Sequence, residues 1–338
     1  PPREAREMIS VALCTFNGEA FLERQLESID TQTLTPDELI ISDDGSTDGT
    51  IEIAQAFQKR AKFRVTIMKN HNNLGVVKNF EQAIGACSGQ YLFLCDQDDV
   101  WDKKKIETQV GVLRANPQLG YVFSDAILIN ENGENEGYLW GRLRIGRGQI
   151  TRFNADPWFQ IETLLRRNIV TGATMAFRKE CLPYLLPFPE NSQIYIHDGW
   201  SALNMSLQGF MGFALDSRLI AYRQHSRQLL GVPKFNLVNY FKCISRTSEI
   251  GRLRAKHGEL KQLRLHASNA AGGNLSDRTC LMIDGQLAHL ERRIEILLDK
   301  NRFHALQGIF GELLSGGYKK CPANSFCWLK DAFIVLAK

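Results

Sequence analysis

The sequence contains no run approaching the roughly 18 apolar residues that a membrane-spanning helix needs, so a soluble or peripheral protein is expected. No CxxC pair occurs. The eight cysteines stand singly, several within apolar runs (Cys14, Cys95, Cys181), which excludes a disulfide framework and predicts buried, reduced thiols. Low-complexity segments and internal repeats are absent, and with 44% hydrophobic and 23% charged residues a disordered or fibrous chain is excluded. The opening PPREARE lacks the apolar stretch of a secretory leader, so a cytoplasmic location is expected. No Gly-x-Gly-x-x-Gly follows the first apolar strand, where Thr15-Phe-Asn-Gly-Glu-Ala stands instead. No Gly-x-x-x-x-Gly-Lys-Ser/Thr occurs anywhere. Dinucleotide oxidoreductases and P-loop ATPases are thereby disfavoured.

The first half alternates short apolar runs with amphipathic stretches, the pattern of βαβ units on a mostly parallel sheet. Ile9–Cys14, Leu39–Ile41, Val65–Met68 and Tyr91–Cys95 read as strands. Residues 19–31, a stretch capped by Thr47 or Asp48 and running to about Lys62, and 76–86 read as the intervening helices. Beyond Trp101 a charged helix to about Ala115 precedes a strand over 121–129. Residues 130–150, with five glycines, suggest a mobile loop or hairpin. Strands are expected at 169–177, 213–215 and 219–223, with a helix over 199–208. From about Pro233 onward the pattern is helical, its longest clean helix running from Cys280 to about Leu298.

Ligands of open parallel sheets bind beyond the carboxyl ends of the strands. Two acidic clusters fall there: Asp43-Asp44 after the second strand, and Asp96, Asp98 and Asp99 after the fourth. Carboxylates this close repel one another unless a cation or donor groups compensate them. A hard divalent ion, Mg²⁺ or Mn²⁺, held by one or two carboxylates and by substrate phosphates, supplies that compensation. Asp44-Gly-Ser suggests a nucleoside pocket. Lys78, in the loop-to-helix start Asn73-Leu-Gly-Val-Val-Lys-Asn79, suggests a contact to a diphosphate.

These segments carry a resemblance. Ile9-Ser-Val-Ala-Leu-Cys-Thr-Phe-Asn17, Ser42-Asp-Asp-Gly-Ser-Thr-Asp-Gly-Thr50, Asn73-x-Gly75-x-x-x-Asn79 and Asp96-Gln-Asp-Asp-Val-Trp101 are similar, in order and spacing, to the family 2 glycosyltransferases of GT-A fold. Thr171-Gly172-Ala173 and Ile196-His-Asp-Gly-Trp200 resemble that family's acceptor-side segments. Tyr222-Arg-Gln-His225 with Gly231 resembles the ending of its rhamnosyltransferase-like branch, in which a second aromatic usually stands where this chain has Gly199. The resemblance implies an α/β GT-A fold, a Rossmann-like mixed, mostly parallel sheet flanked by helices, with a C-terminal helical extension. It implies a catalytic domain over 1–232 (nucleotide-sugar half to about 115, acceptor half thereafter) and a helical region over 233–338. On the donor side it assigns Asp44 to the base and Asp96 to the ribose, and Asp98 falls to the metal; Thr15, Asn17, Asn73 and Lys78 are expected to join the donor side, and His225 the metal or diphosphate shell. Asp99, Gly172 and Trp200 fall to the acceptor, and Asp198 to the general base of an inverting displacement. Trp200 is expected to stack on sugar and Trp101 to pack. The donor implied is dTDP-rhamnose, with a UDP-hexose or UDP-N-acetylhexosamine as alternatives, and the acceptor is a saccharide or lipid-linked saccharide of a cell-surface polysaccharide. A nucleotidyltransferase and a non-catalytic sugar-nucleotide-binding protein are the rival readings.

Between Lys234 and Ala267 eight Lys/Arg face only Glu249 and Glu259, interleaved with Leu237, Phe241, Ile244, Ile250, Leu253 and Leu260. Basic amphipathic helices of this kind sit on anionic membrane surfaces. Residues 234–338 are therefore expected to place the protein peripherally on the inner face of a membrane. Nucleic acid is not an expected partner, since no recognisable reading module accompanies the basic stretch.

Overall fold

The computed structural model describes residues 7–337 apart from 190, 191, 193, 227, 229, 230, 232–244, 271, 273, 274 and 322–325. Its centre is one nine-stranded sheet in the order β3-β2-β1-β4-β8-β6-β9-β5, with β7 paired to β6. The first four strands, β1 (Ile9–Thr15), β2 (Glu38–Asp43), β3 (Arg64–Lys69) and β4 (Tyr91–Asp96), are all parallel. β1 and β2 are buried along their whole length, as expected of strands covered on both faces by crossover helices. Those helices are Leu22–Asp30, Thr50–Arg60 and Val76–Gly85. The middle one is capped by Gly49, while Asp48, one residue farther out, accepts from the Thr50 N–H.

The second half makes the sheet mixed. β5 (Val100–Trp101), β7 (Asn135–Tyr138) and β8 (Ala176–Arg178) bring the antiparallel pairings, while β6 (Leu119–Ile129) and β9 (Met211–Arg223) run parallel to each other. The two short strands expected at 213–215 and 219–223 are a single strand. Its register on β6 jumps from Ser124↔Leu215 to Asp125↔Arg218, so Asp216 and Ser217 bulge out. Much of the expected 169–177 strand is not extended, since Gly172–Thr174 forms a tight helical turn. The loop expected over 130–150 holds β7 and the start of a helix over Arg147–Ala155. A further helix, Pro157–Arg166, follows, capped by Asp156 through the Trp158 and Phe159 N–H groups. Seven cysteines are free among the described residues, six of them buried.

Beyond the sheet come helices Arg246–Ala270, Asp277–Leu298, Arg302–Leu314 and Cys327–Leu336. The longest is the 25-residue first of these, not the one from Cys280; its dense charge and two glycines blur the apolar stripe. The expected domain boundary at 232/233 lies outside the described residues, as do Lys234, Leu237, Phe241, Lys242 and Ile244 of the basic stretch. Part of the rest of that stretch is engaged by groups of the protein itself, much of it at the surface. Lys256 donates to the Arg166 carbonyl at 2.7 Å, Arg252 pairs with Glu249, Arg264 with Asp284 and Lys261 with Glu291.

Candidate active site

Strand register places the acidic clusters side by side. Thr15 aligns with Asp43, and Cys14 with Asp96, so Asp44 and Asp96 flank the end of β1, where the chain's excursions to either side of the sheet begin. A cleft of about 580 Å³ opens there, within the usual range for a small-ligand site. Thr15, Asp44, Asn73, Asp96, Asp98, Gly172, Asp198 and His225 all line it.

On one wall the buried Asp44 carboxylate accepts from the N–H groups of Leu74 (2.8 Å) and Gly75 (2.9 Å) and from the Asn70 amide (3.0 Å). Gly75 reaches this arrangement at φ +81°, a conformation open to glycine at little cost. Asp43 turns the other way. It accepts from Thr15 Oγ1 (2.9 Å) and the Ser46 N–H (2.9 Å), which shapes the Asp43-Asp-Gly-Ser46 turn. Phe16 projects half-exposed at the mouth, its N–H and carbonyl both bonded to the Gln97 amide (2.8 and 3.0 Å), which ties the loop after β1 to the loop after β4.

On the opposite wall Asp198 opens the helix His197–Leu207, all of whose residues are buried. Its Oδ2 accepts from the Gly172 N–H (2.9 Å); its Oδ1 accepts from Asn168 Nδ2 (2.9 Å) and the Gly199 N–H. An ionised carboxylate offers about four lone-pair sites, so one is left for a ligand hydroxyl. Glycine at 172 is required by close approach: a Cβ would lie 2.7 Å from His197 Nε2 and 3.4 Å from Asp198 Cβ. A Cβ at Gly199 would sit 3.1 Å from the Asn168 amide, so an aromatic there would displace the group that orients Asp198. His197 stacks on Phe80 with ring centroids 4.1 Å apart, and burial lowers its pKa despite Asp198 beside it. It is a neutral wall group.

Between the walls stand Asp96 and the pair Asp98–His225, Oδ2 to Nε2 at 2.7 Å. Burial, then the charges of Asp98 and Asp198, push the Asp96 carboxyl well above its ordinary range. Crowding of carboxyl groups, which makes Asp96 hold its proton more tightly, is the defining electrostatic feature of the cleft. Among the described residues no three His, Cys, Asp or Glu side chains form a closed metal cage. Asp98 and His225 nevertheless suit an ion that completes its shell with substrate oxygens.

Residues 10–177 match the model of "Glycosyl transferase family 2". The chain belongs to that family. The dTDP-rhamnosyl transferase RfbG of Shigella flexneri is 28% identical over 229 residues, 65% of this chain and 73% of that protein. Mycobacterium tuberculosis has an uncharacterized protein 28% identical over 177 residues, and the chain spans only 47% of that relative's length. Among solved structures, S. aureus TarS 1-349 in complex with UDP-GlcNAc superposes with a TM-score of 0.56 at 15% identity, covering 97% of this chain and 90% of that one. The mannosyltransferase PcManGT from Pyrobaculum calidifontis, in complex with GDP-Man and Mn2+, gives 0.53 at 17% identity, covering 98% and 85%. The fold is GT-A.

Four positions assigned through the family motifs do not reach the cleft wall. Asn17, at φ +49°, spends its Oδ1 on the Thr47 N–H (2.9 Å) and shapes the loop. Lys78 lies on the far side of its helix from Val76 and Asn79, which do face the cleft. It pairs instead with Glu81 and donates to the Phe188 carbonyl. Asp99 follows the Gln97-Asp98 turn and is directed away from the cleft. It accepts from the Arg223 N–H (2.9 Å) while its Oδ2 has no partner among the described residues. Trp200 is buried, donates to the Leu185 carbonyl (3.0 Å) and packs on His266, so it supports the helix instead of stacking on sugar. Trp101 packs, as expected.

Sequence reasoning missed Asn168 and the role of Arg223. The buried Arg223 guanidinium donates to the carbonyls of Asp98, Asn130 and Glu131, fixing the loop that carries Asp98. Asn168 lies 30 residues before Asp198 in an unremarkable segment and leaves no pattern; Arg223 sits in a quoted motif, but its span of more than 90 residues is invisible in one dimension.

Proposed function

We propose that this protein transfers a sugar from a nucleoside diphosphate to a hydroxyl of a saccharide or lipid-linked saccharide, with inversion at the anomeric carbon. The observation that carries the reading is that Asp198 shares one cleft with Asp44, Asp96 and the Asp98–His225 pair. A base for the incoming hydroxyl and groups suited to the donor therefore lie within one ligand's reach. Asp44, beside the half-exposed Phe16, is suited to the base, and Asp96 to the ribose. Asp98 and His225 would hold Mg²⁺ or Mn²⁺, which when bound stabilises the charge of the departing diphosphate. Asp198 takes the acceptor proton as the hydroxyl oxygen bonds to the anomeric carbon; the bond from that carbon to the diphosphate oxygen breaks and its electron pair leaves with the diphosphate. With no enzyme nucleophile in the path, a single displacement inverts the centre.

The likeness to RfbG favours dTDP-rhamnose as donor and, with it, a role in cell-surface polysaccharide synthesis; a UDP-hexose or UDP-N-acetylhexosamine is the alternative. The test is a thermal-shift and turnover screen of dTDP-, UDP- and GDP-sugars with and without Mn²⁺. dTDP-rhamnose should give the largest Mn²⁺-dependent stabilisation and slow release of dTDP. Pyrophosphate release from a nucleoside triphosphate would point to a nucleotidyltransferase, and binding without any turnover to a non-catalytic protein.

A further inference from the structure

The helix Cys327–Leu336 buries both of its charged side chains beside Cys327, Ile334 and Val335 and leaves large apolar side chains facing out. Its inward face carries charge: the Lys330 ammonium lies 2.6 Å from Glu249, and Asp331, fully buried, accepts two hydrogen bonds from Arg293 (2.7 and 2.8 Å) and one from Tyr318 (2.8 Å). Its outward face carries Trp328 (39% exposed), Leu329 (39%) and Leu336 (56%). The helix it packs against, Arg302–Leu314, buries Ala305 and Ile309 and likewise leaves large apolar side chains facing out. Phe303 (67%), Phe310 (63%) and Leu314 (75%) recur at i, i+7 and i+11 along one outward stripe. Scattered apolar residues on a surface are ordinary, but helical rows of large side chains on two adjoining helices mark a face that something covers.

The charges bordering these rows say what covers it. Lys300, Arg302 and Lys319 are exposed. The acids of the two helices are both turned inward: Glu312 is bonded to His289 (2.6 Å) and Asp331 to Arg293. Among the described residues the helices thus present aromatic and aliphatic side chains bordered by cations, with no exposed carboxylate of their own. A second copy of this chain would bring the same cations against them. An anionic bilayer supplies both complements, an apolar boundary layer and negative headgroups. No described helix is long and apolar enough to cross a membrane, so the face would lie on the bilayer without spanning it.

We propose that helices 302–314 and 327–336 form a docking face for an anionic lipid surface. The basic stretch 246–267, part of it engaged by groups of the protein itself, is not the anchor. The experiment is co-sedimentation of the full chain with vesicles of phosphatidylcholine alone and of phosphatidylcholine with 30 mol% phosphatidylglycerol. No donor or acceptor is present, so failure here leaves the transfer reading untouched. Binding is expected to the anionic vesicles, to weaken about fivefold in Arg302→Glu or Lys319→Glu and roughly tenfold or more in the double variant F303S/F310S. Both phenylalanines are mostly exposed, so this variant should keep the wild-type melting temperature; Leu314→Ser provides an independent second variant. Equal sedimentation of wild type and both apolar variants would overturn the proposal. So would absence of vesicle binding, whether the protein is then monomeric by light scattering or forms a dimer that the same variants dissolve.

Discussion

Substituting Gly172 with alanine probes the candidate active site with a single methyl group. Its φ lies outside the left-handed region, so the backbone accepts alanine and the consequences are steric. The new Cβ would meet His197 Nε2 at 2.7 Å, and reaching the 3.4 Å of ordinary contact requires movement of about 0.7 Å. His197 cannot easily supply it, because the ring is buried against Phe80. The displacement therefore passes to the 172 backbone, whose N–H holds Asp198 Oδ2 at 2.9 Å. A misplacement approaching 1 Å at a reacting group costs up to about 100-fold in rate, and overpacking of this kind about 1–3 kcal/mol in stability. We expect G172A to lose between tenfold and 100-fold in kcat, with donor Kd within threefold of wild type and a modestly lowered Tm. Steady-state transfer with the donor identified by screening, beside calorimetric donor binding, reads both quantities. A kcat within twofold of wild type would refute the claim that this contact sets the position of Asp198.

His225→Ala should weaken nucleoside diphosphate binding at least tenfold in Mn²⁺ while leaving metal-free binding unchanged; equal affinity in Mn²⁺ would remove His225 from the ion's shell. Glu259 accepts from Ser192 Oγ (2.7 Å) and from the Ile194 and Tyr195 N–H groups (3.1 and 2.9 Å), bracing the segment that leads into Asp198. Glu259→Ala should accordingly lower kcat about tenfold at unchanged donor Kd, with Glu259→Gln intermediate; a loss confined to Tm would make the brace merely structural. Burial alone would raise the pKa of Glu249, but hydrogen bonds and charge from Arg252 and Lys330 outweigh it and hold the group at about 2. A folded pKa depressed below the unfolded value of about 4.5 contributes stability above pH 4.5 that is lost as pH falls towards 2, about 3 kcal/mol at most. Circular dichroism melts across that window should show Glu249→Gln destabilised at pH 7 but converging on wild type near pH 2; parallel curves would contradict it.

The parallel half of the fold was legible because three of its four strands are buried apolar runs closed by polar turns, the edge strand β3 being half-exposed: Tyr91–Asp96 ends where its carboxylates begin. Motif order likewise brought Asp44, Asp96, Asp98, Asp198 and His225 to one cleft from separate stretches. What was not legible depends on direction in space. Lys78 and Trp200 are in motifs, but helix rotation turns them away from the cleft, and Asp99, just past the turn that carries Asp98, is taken up by the Arg223 N–H. The strand expected over 169–177 gives way to a turn because the Gly172 N–H serves Asp198 instead of a neighbouring strand. The tail's basic residues look like a membrane-facing stripe in one dimension, yet Lys256 is buried against the Arg166 carbonyl and Arg252, Arg264 and Lys261 each have an acidic partner on neighbouring turns. The apolar face of 327–336 is hidden in sequence by Lys330 and Asp331, which only the fold shows to point inward.

The most direct measurement is single-turnover transfer by Asp198→Asn, with donor affinity measured on the same preparation. Asparagine keeps the shape and can accept on one atom only, from the Gly172 N–H or from the Asn168 amide and Gly199 N–H, and it cannot take the acceptor's proton. We expect the rate to fall by a factor of about 100 to 10,000 with donor Kd within threefold of wild type; a variant retaining more than about a tenth of the wild-type rate would show that the proton leaves by another route.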